Sequence, residues 1–226
     1  MEFWKKKNLN LLSNMVYEVV KRTIDLVGAI VLLLIFSPVI LTTSILIKLS
    51  SPGPVFADTP KRIGKGGKLF YPYKFRSMIL NAHSLLRRDP KFKKLYEEYK
   101  KSSFKLHEDP RVTTVGKFIR KHSIDEIPQL INVLKGEMSI VGPRPYYPDE
   151  LEQQTNKYPY TKELVKDVLS MKPGITGYWQ VSGRSEVNFD KRIEMDSYYT
   201  KKRSILLDFL ILLKTPFAMI IGKGAV

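Results

Sequence analysis

Between residues 26 and 47 the chain runs for 22 residues without a charged side chain. As a helix that run reaches about 33 Å, close to the depth of a bilayer's hydrocarbon core. Ser37-Pro38 stands in its middle. Proline has no N–H for the Leu34 carbonyl and its ring crowds the preceding turn, so the pattern predicts a kink there. The Ser37 hydroxyl is expected to bond the Leu33 carbonyl and relieve part of that loss. Further on, Leu69, Tyr71, Tyr73 and Phe75 alternate with Lys68, Lys74 and Arg76, the period of a strand with one basic face. With residues 54–63 it frames Gly64, Gly66 and Gly67 as the turn of a hairpin, a better reading of that glycine cluster than a phosphate loop. Residues 84–101 are highly charged, with apolar positions at Leu85, Phe92, Leu95 and Tyr99 that predict one amphipathic surface helix. Residues 120–136 open basic, carry Asp125 and Glu126, and continue as an apolar-periodic helix to Gly136. The last apolar stretch, 205–221, is interrupted by Asp208, Lys214 and Pro216. Those breaks argue against a span and for a helix along an interface, with a buried core helix as the alternative.

No internal repeat or low-complexity linker divides this pattern, so it predicts one compact, membrane-associated α+β unit with a re-entrant N-terminal helix and interfacial helices. The segments are 1–22 as a basic lead, 23–50 as the re-entrant membrane helix, 51–204 as the body and 205–226 as the C-terminal interfacial helix. Charge decides for re-entry. Lys5, Lys6, Lys7, Lys21 and Arg22 precede the apolar run, while Lys48, Lys61, Arg62 and Lys65 follow it. Basic residues prefer the cytoplasmic side, and one straight crossing cannot place both ends there. A kinked single span is the alternative, and a signal peptide is disfavoured by the length and late start of the run. Over the 226 residues Lys and Arg total 38 against 22 Asp and Glu, a net charge of +16 that calls for anionic partners. There is no cysteine, and His83, His107 and His122 lack metal-ligand spacing, which excludes disulfides, thiolate nucleophiles and the usual zinc sites.

The chemistry gathers in three places. Around Asp125 and Glu126 the bland reading is a capping box, with Ser123 as N-cap and Glu126 closing it. Pro128 weakens that reading, because a helix begun at Ser123 would carry proline beyond its first turn. In either register the two acids sit near a helix N-terminus beside Arg120, Lys121 and His122, a neighbourhood that lowers carboxylate pKa values and gathers phosphate. It suits a nucleophilic or metal-binding carboxylate acting on a phosphoanhydride. The other two places are the turns 141–145 and 172–184, which present Arg144 and Arg184. A guanidinium held by prolines grips phosphate with two hydrogen bonds, while Tyr178 and Trp179 are placed to pack on a base or sugar ring. Taken singly, each turn also reads as a surface turn with a solvated arginine.

Several motifs recur in a fixed order: Lys21-Arg22 with Asp25 before the Ser-Pro-broken helix, Tyr73-Lys-Phe-Arg-Ser-Met78, Asp109-Pro-Arg-Val-Thr113, Ser123-Ile-Asp-Glu126, Asn132-Val-Leu-Lys-Gly-Glu-Met-Ser139, Gly142-Pro-Arg-Pro145 and Pro173-Gly-Ile-Thr-Gly177. Together they resemble the bacterial sugar transferases, monotopic polyprenol-phosphate phosphoglycosyl transferases, from about Lys21 to near the C-terminus. Ile124 and Ile127 stand where leucine is usual. The resemblance is greatest to the undecaprenyl-phosphate galactose and glucose phosphotransferases, in a minimal form without their multi-helix N-terminal membrane region. It implies transfer of a hexose 1-phosphate from a UDP-sugar to undecaprenyl phosphate with release of UMP, the first membrane step of polysaccharide or glycan assembly. It further implies that Asp125 forms an aspartyl phosphosugar, assisted by Glu126 and Mg²⁺, with Asp125 and Glu126 both candidate metal ligands. Arg120, Lys74, Arg76, Pro143, Arg144, Pro145, Gln180 and Arg184 are its expected substrate-binding residues. The location it implies is the cytoplasmic face of a bacterial inner membrane, against anionic inner-leaflet lipids, without nucleic acid and with homodimerisation left open. The rivals are a basic nucleic-acid-binding protein, which the charge alone permits, and a membrane-anchored interaction protein without catalysis.

Overall fold

The computed structural model describes residues 2–101, 106, 108–182 and 187–221. Helix α1, Glu2–Ile35, and helix α2, Ser37–Ser50, meet at the Ser-Pro step. Pro38 falls in the first turn of α2, where a missing N–H costs nothing because that turn has no intrahelical partner for it. The parts 14–35 and 37–50 are bent 59° from one another. The Ser37 hydroxyl does bond back, but to the Leu34 carbonyl at 2.8 Å and not to Leu33 as expected. The break shortens the loop by one residue, so the carbonyl three positions back comes within reach. Among the described residues no single helix is long and apolar enough to cross a membrane, while this bent pair is by length and composition.

After α2 come two short strands, β1 at Arg62–Ile63 and β2 at Leu69–Phe70, which pair antiparallel across the glycine turn. The hairpin is as expected in topology but not in facing. Leu69, Tyr71 and Tyr73 are exposed and Phe70 is buried, so the alternation is inverted through 69–73. The two tyrosines lie outside under lysines: Lys61 is 5.3 Å from the Tyr71 ring and Lys135 is 5.3 Å from that of Tyr73. Cation–π contact lets a tyrosine serve as surface where a leucine would not. The helix expected over 84–101 is also corrected: it is two, α3 at Ala82–Arg88 and α4 at Lys93–Lys101. Asp89 ends the first and accepts Lys91 N at 2.9 Å, and Pro90 opens a 3₁₀ turn, since proline cannot continue a helix but starts one well.

Helix α5, Thr114–Lys121, starts at Thr113, whose hydroxyl takes the Gly116 N–H. A 3₁₀ turn, Ile124–Gln129, leads into α6, Leu130–Lys135, which stops at Gly136 with φ of 80°. Strand β3, Ser139–Val141, follows, then α7 at Pro148–Lys157 and α8 at Thr161–Leu169. Strand β4, Gly174–Thr176, pairs parallel with β3, and α9 at Tyr178–Ser182, α10 at Phe189–Lys202 and α11 at Ile205–Ile221 complete the order. Among the described residues the arrangement is mostly helical with four short strands, consistent with α+β.

One core joins the bent helix to the body: Ala29 of α1, Leu130 and Val133 of α6, Met138, Ile140 and Val141 around β3, Tyr199 of α10 and Ile211 of α11. Buried polar groups fix the foot of α1 to it. The Asp25 carboxylate accepts Ser139 Oγ at 2.8 Å and Ile140 N at 3.0 Å, and Lys21 lies 2.9 Å from Asp208. Arg22 donates to the Val133 and Leu134 carbonyls at 2.7 and 3.0 Å, satisfying the C-terminal end of α6. Helix α11 packs Asp208 and Ile211 inward, as a core helix would, while Leu206, Phe209, Leu213 and Phe217 stand exposed.

Candidate active site

The site begins at Ser123, a non-glycine residue with φ of 55°. That left-handed step ends α5 and starts the 3₁₀ turn, where the Ser123 carbonyl takes the Glu126 N–H at 3.2 Å. Ser123 caps nothing with its side chain, so the capping box of the bland reading does not form. Glu126 instead receives Lys74 Nζ at 2.5 Å, and the same ammonium lies 3.8 Å from Asp125 Oδ2. Lys74 is brought there by the backbone, because Phe75 N donates to the Asp125 carbonyl at 3.0 Å. Asn132 secures the same approach: fully buried, it accepts Tyr73 N at 2.8 Å and donates to Tyr71 O at 2.8 Å.

The two adjacent acids are pushed in opposite directions. Asp125 is 7% exposed, and burial raises its pKa, with Lys74 opposing, the Glu126 charge adding and Arg120 opposing. Burial would raise Glu126 too, but the charge and hydrogen bond of Lys74, with Arg144 and Arg62, hold it below the usual carboxylate range. Groups this close titrate as a pair.

Both acids open into a cleft of about 510 Å³. Lys74, Arg76, Arg120, Arg144, Pro145 and Gln180 also line it, so most of the expected binding residues meet on one cavity. Arg120 makes no hydrogen bond or ion pair among the described residues, while Arg144 lies 5.2 Å from the Trp179 ring, its N–H donated to Asp196. Arg76 borders the cleft, but its terminal nitrogens donate to the Ser51 and Pro52 carbonyls at 2.8 and 2.6 Å and tie down the chain leaving α2. Pro143 is not among the lining residues and its carbonyl accepts Gly174 N at 2.8 Å. Arg184 lies outside the described residues. Tyr178 packs 5.4 Å from Tyr198, whereas Trp179 faces the cleft.

Other cleft residues escaped the sequence reading. Arg62 counted only as positive charge beside the apolar run, and Tyr147, on which it lies, carried no signal. Asp196, buried behind the cleft where it accepts the Arg144 N–H, also carried no signal.

Among the described residues no three acids or histidines converge as a metal-binding group. Two adjacent carboxylates nevertheless fit Mg²⁺, which keeps several waters and takes one or two carboxylates together with substrate phosphates.

The sequence pattern of the bacterial sugar transferases matches residues 16–222. Undecaprenyl-phosphate galactose phosphotransferase of Salmonella typhimurium is 44% identical over 209 residues, covering 91% of this chain and 41% of that protein. UDP-glucose:undecaprenyl-phosphate glucose-1-phosphate transferase of Escherichia coli is 39% identical over 219 residues, 93% of this chain and 42% of its own length. The chain thus spans less than half of these relatives. It spans 87% of the exopolysaccharide production protein ExoY of Sinorhizobium fredii, at 41% identity over 91% of this chain. With the match running from α1 through α11 and enclosing the paired acids, the chain belongs to the bacterial sugar transferase family.

Proposed function

We propose that this protein is a phosphoglycosyl transferase that moves a hexose 1-phosphate, galactose or glucose, from a UDP-sugar to undecaprenyl phosphate and releases UMP. The observation that carries the reading is Asp125, buried beside Glu126 and Lys74 in a cleft that also holds Arg120 and Arg144. A carboxylate there is sheltered from water and faces cations that gather phosphate. In the first step an Asp125 oxygen bonds to the β-phosphorus while the bond from that phosphorus to the bridging oxygen breaks, and UMP leaves with the electron pair. In the second, a phosphate oxygen of undecaprenyl phosphate attacks the aspartyl phosphosugar and Asp125 departs as carboxylate. Asp125 reacts as its carboxylate, the form that Lys74 and Arg120 favour against burial, and neither step then requires a base. Lys74, Arg120 and Arg144 offset the charge of the phosphates as the new bond forms. Asp125 and Glu126 would hold Mg²⁺, which when bound supplies further charge neutralisation at the diphosphate.

The 59° bend at Ser37 fits a broken span or a re-entrant helix, and basic residues both before and after the apolar run favour re-entry with both ends on the cytoplasmic side. A soluble nucleotide sugar and a lipid phosphate then meet at the foot of the half-inserted helix. The test is UMP release from a panel of UDP-sugars by protein in vesicles with undecaprenyl phosphate. Wild type is expected to turn over at least one UDP-hexose, Asp125→Asn to lose turnover and Glu126→Gln to fall about 100-fold or more. Wild-type rate in Asp125→Asn would overturn the assignment. Salt-sensitive DNA binding with no UMP release would favour the nucleic-acid rival.

A further inference from the structure

The cleft holds another arginine that is built for an anion. Arg62, in β1, is half-buried and lines the same cavity as the two acids. Its guanidinium carbon lies 3.2 Å from the centre of the Tyr147 ring, so the planar group rests flat on an aromatic shelf. One nitrogen, Nη1, donates to the Pro145 carbonyl at 3.1 Å. The backbone beside it is fixed by Ile63 N on the Tyr146 carbonyl at 2.9 Å, and β2 holds the strand from the other side. Nε and Nη2 have no protein partner among the described residues. The Tyr147 ring lies 6.1 Å from that of His83 and nearly parallel to it. The Arg62 charge is felt at Glu126, helping hold that carboxyl low.

A solvated surface arginine would spread its conformations over several rotamers. Here the Tyr147 ring and the Pro145 carbonyl both engage the guanidinium, the strand backbone is held on both sides, and Arg62 lines the cavity where phosphates are proposed to react. We infer that Arg62, positioned by Tyr147, is a phosphate-binding residue of this cleft, gripping one phosphate other than the phosphorus attacked by Asp125. That phosphate is either the second one of the donor diphosphate or the phosphate of the acceptor lipid, and the inference rests on the proposed transfer reaction.

The experiment uses the full chain in vesicles, the UDP-hexose that wild type turns over, and undecaprenyl phosphate. KM is measured for each substrate, together with thermal melting, for wild type, Arg62→Gln, Arg62→Lys and Tyr147→Leu. Glutamine retains a donor for the Pro145 carbonyl, so the fold is preserved while the cation is lost. The expected result is a rise of about tenfold or more in one KM for Arg62→Gln, the scale of one lost charge-assisted contact, with a smaller rise for lysine. Tyr147→Leu is expected to raise the same KM, because the shelf is gone. A rise confined to the UDP-hexose assigns the donor phosphate, and one confined to undecaprenyl phosphate assigns the acceptor. Unchanged KM values for both substrates, or a fall in kcat that only follows a lower melting temperature, would overturn the proposal. Absence of UMP release by wild type would instead defeat the transfer reaction on which it rests.

Discussion

One lysine is asked to serve two neighbouring acids, and it serves them unequally. Lys74 holds Glu126 by a direct hydrogen bond and reaches Asp125 only through charge, so Glu126 is kept ionised while burial dominates at Asp125. Asp196 is a second buried acid with a calculable consequence. Burial pushes its pKa from 3.8 to about 7, against the Arg144 N–H, the Tyr146 hydroxyl and the charges of Arg192 and Arg144. Glu150, fully buried on α7, also stands near Arg192, at 3.6 Å. Because the folded state keeps a proton that the unfolded chain releases, the contribution of Asp196 to stability falls as pH rises between about 4 and 7. In Asp196→Asn the acceptor oxygen for Arg144 N and Tyr146 Oη remains but the titration is gone. The urea midpoint of that variant should therefore decline less steeply than wild type over this range. Equal slopes for the two proteins would show that Asp196 is ionised throughout.

At the scale of elements, the turn with Arg144 and the loop before Trp179 are held together by a crossing of glycines. Gly142 N donates to the Thr176 carbonyl at 2.9 Å, and a methyl group on Gly174 would sit 2.1 Å from Gly142 N. The clash is with backbone, which has no rotamer to escape into, so Gly174→Ala should lower unfolding free energy by about 2 to 4 kcal/mol, read from urea titration. Activity should fall with it, since the same crossing aims Arg144; wild-type stability would contradict the close packing of β3 on β4. Several elements were legible locally. Pro38 marked the bend, Gly136 marked the end of α6, and Gly66 and Gly67, both with positive φ, made the hairpin turn. The break at Asp89-Pro90 was equally visible in residue type, as a cap followed by a first-turn proline, but the apolar spacing carried across it and suggested one helix. The inverted facing of 69–73 was not legible, because period alone gives alternation and says nothing of which side meets the core.

For the whole molecule, the bent helix pair is the element proposed to enter a bilayer. Exposed Val27, Ile30, Leu34, Leu41 and Leu46 line it, and on α11 Phe209, Leu213 and Phe217 add an apolar face. Absence of any native cysteine makes topology directly measurable. Asn14→Cys and Ser50→Cys, one before the bend and one after, are both expected to react with a membrane-impermeant maleimide in inverted vesicles and neither in right-side-out ones. Labelling from opposite sides would establish a crossing and end the re-entrant proposal. The sequence by itself determined the uncharged run and its break, the adjacency of Asp125 and Glu126, and the ordered motifs, because backbone sterics, helix termini and charge counts act over a few residues. Only the tertiary structure decided that Lys74, 52 positions before Glu126, bonds it, that Arg62 lies on Tyr147, and that Arg76 turns toward the end of α2. Those contacts arise when separate elements pack, and the energy of burying a charge depends on neighbours that no local pattern specifies.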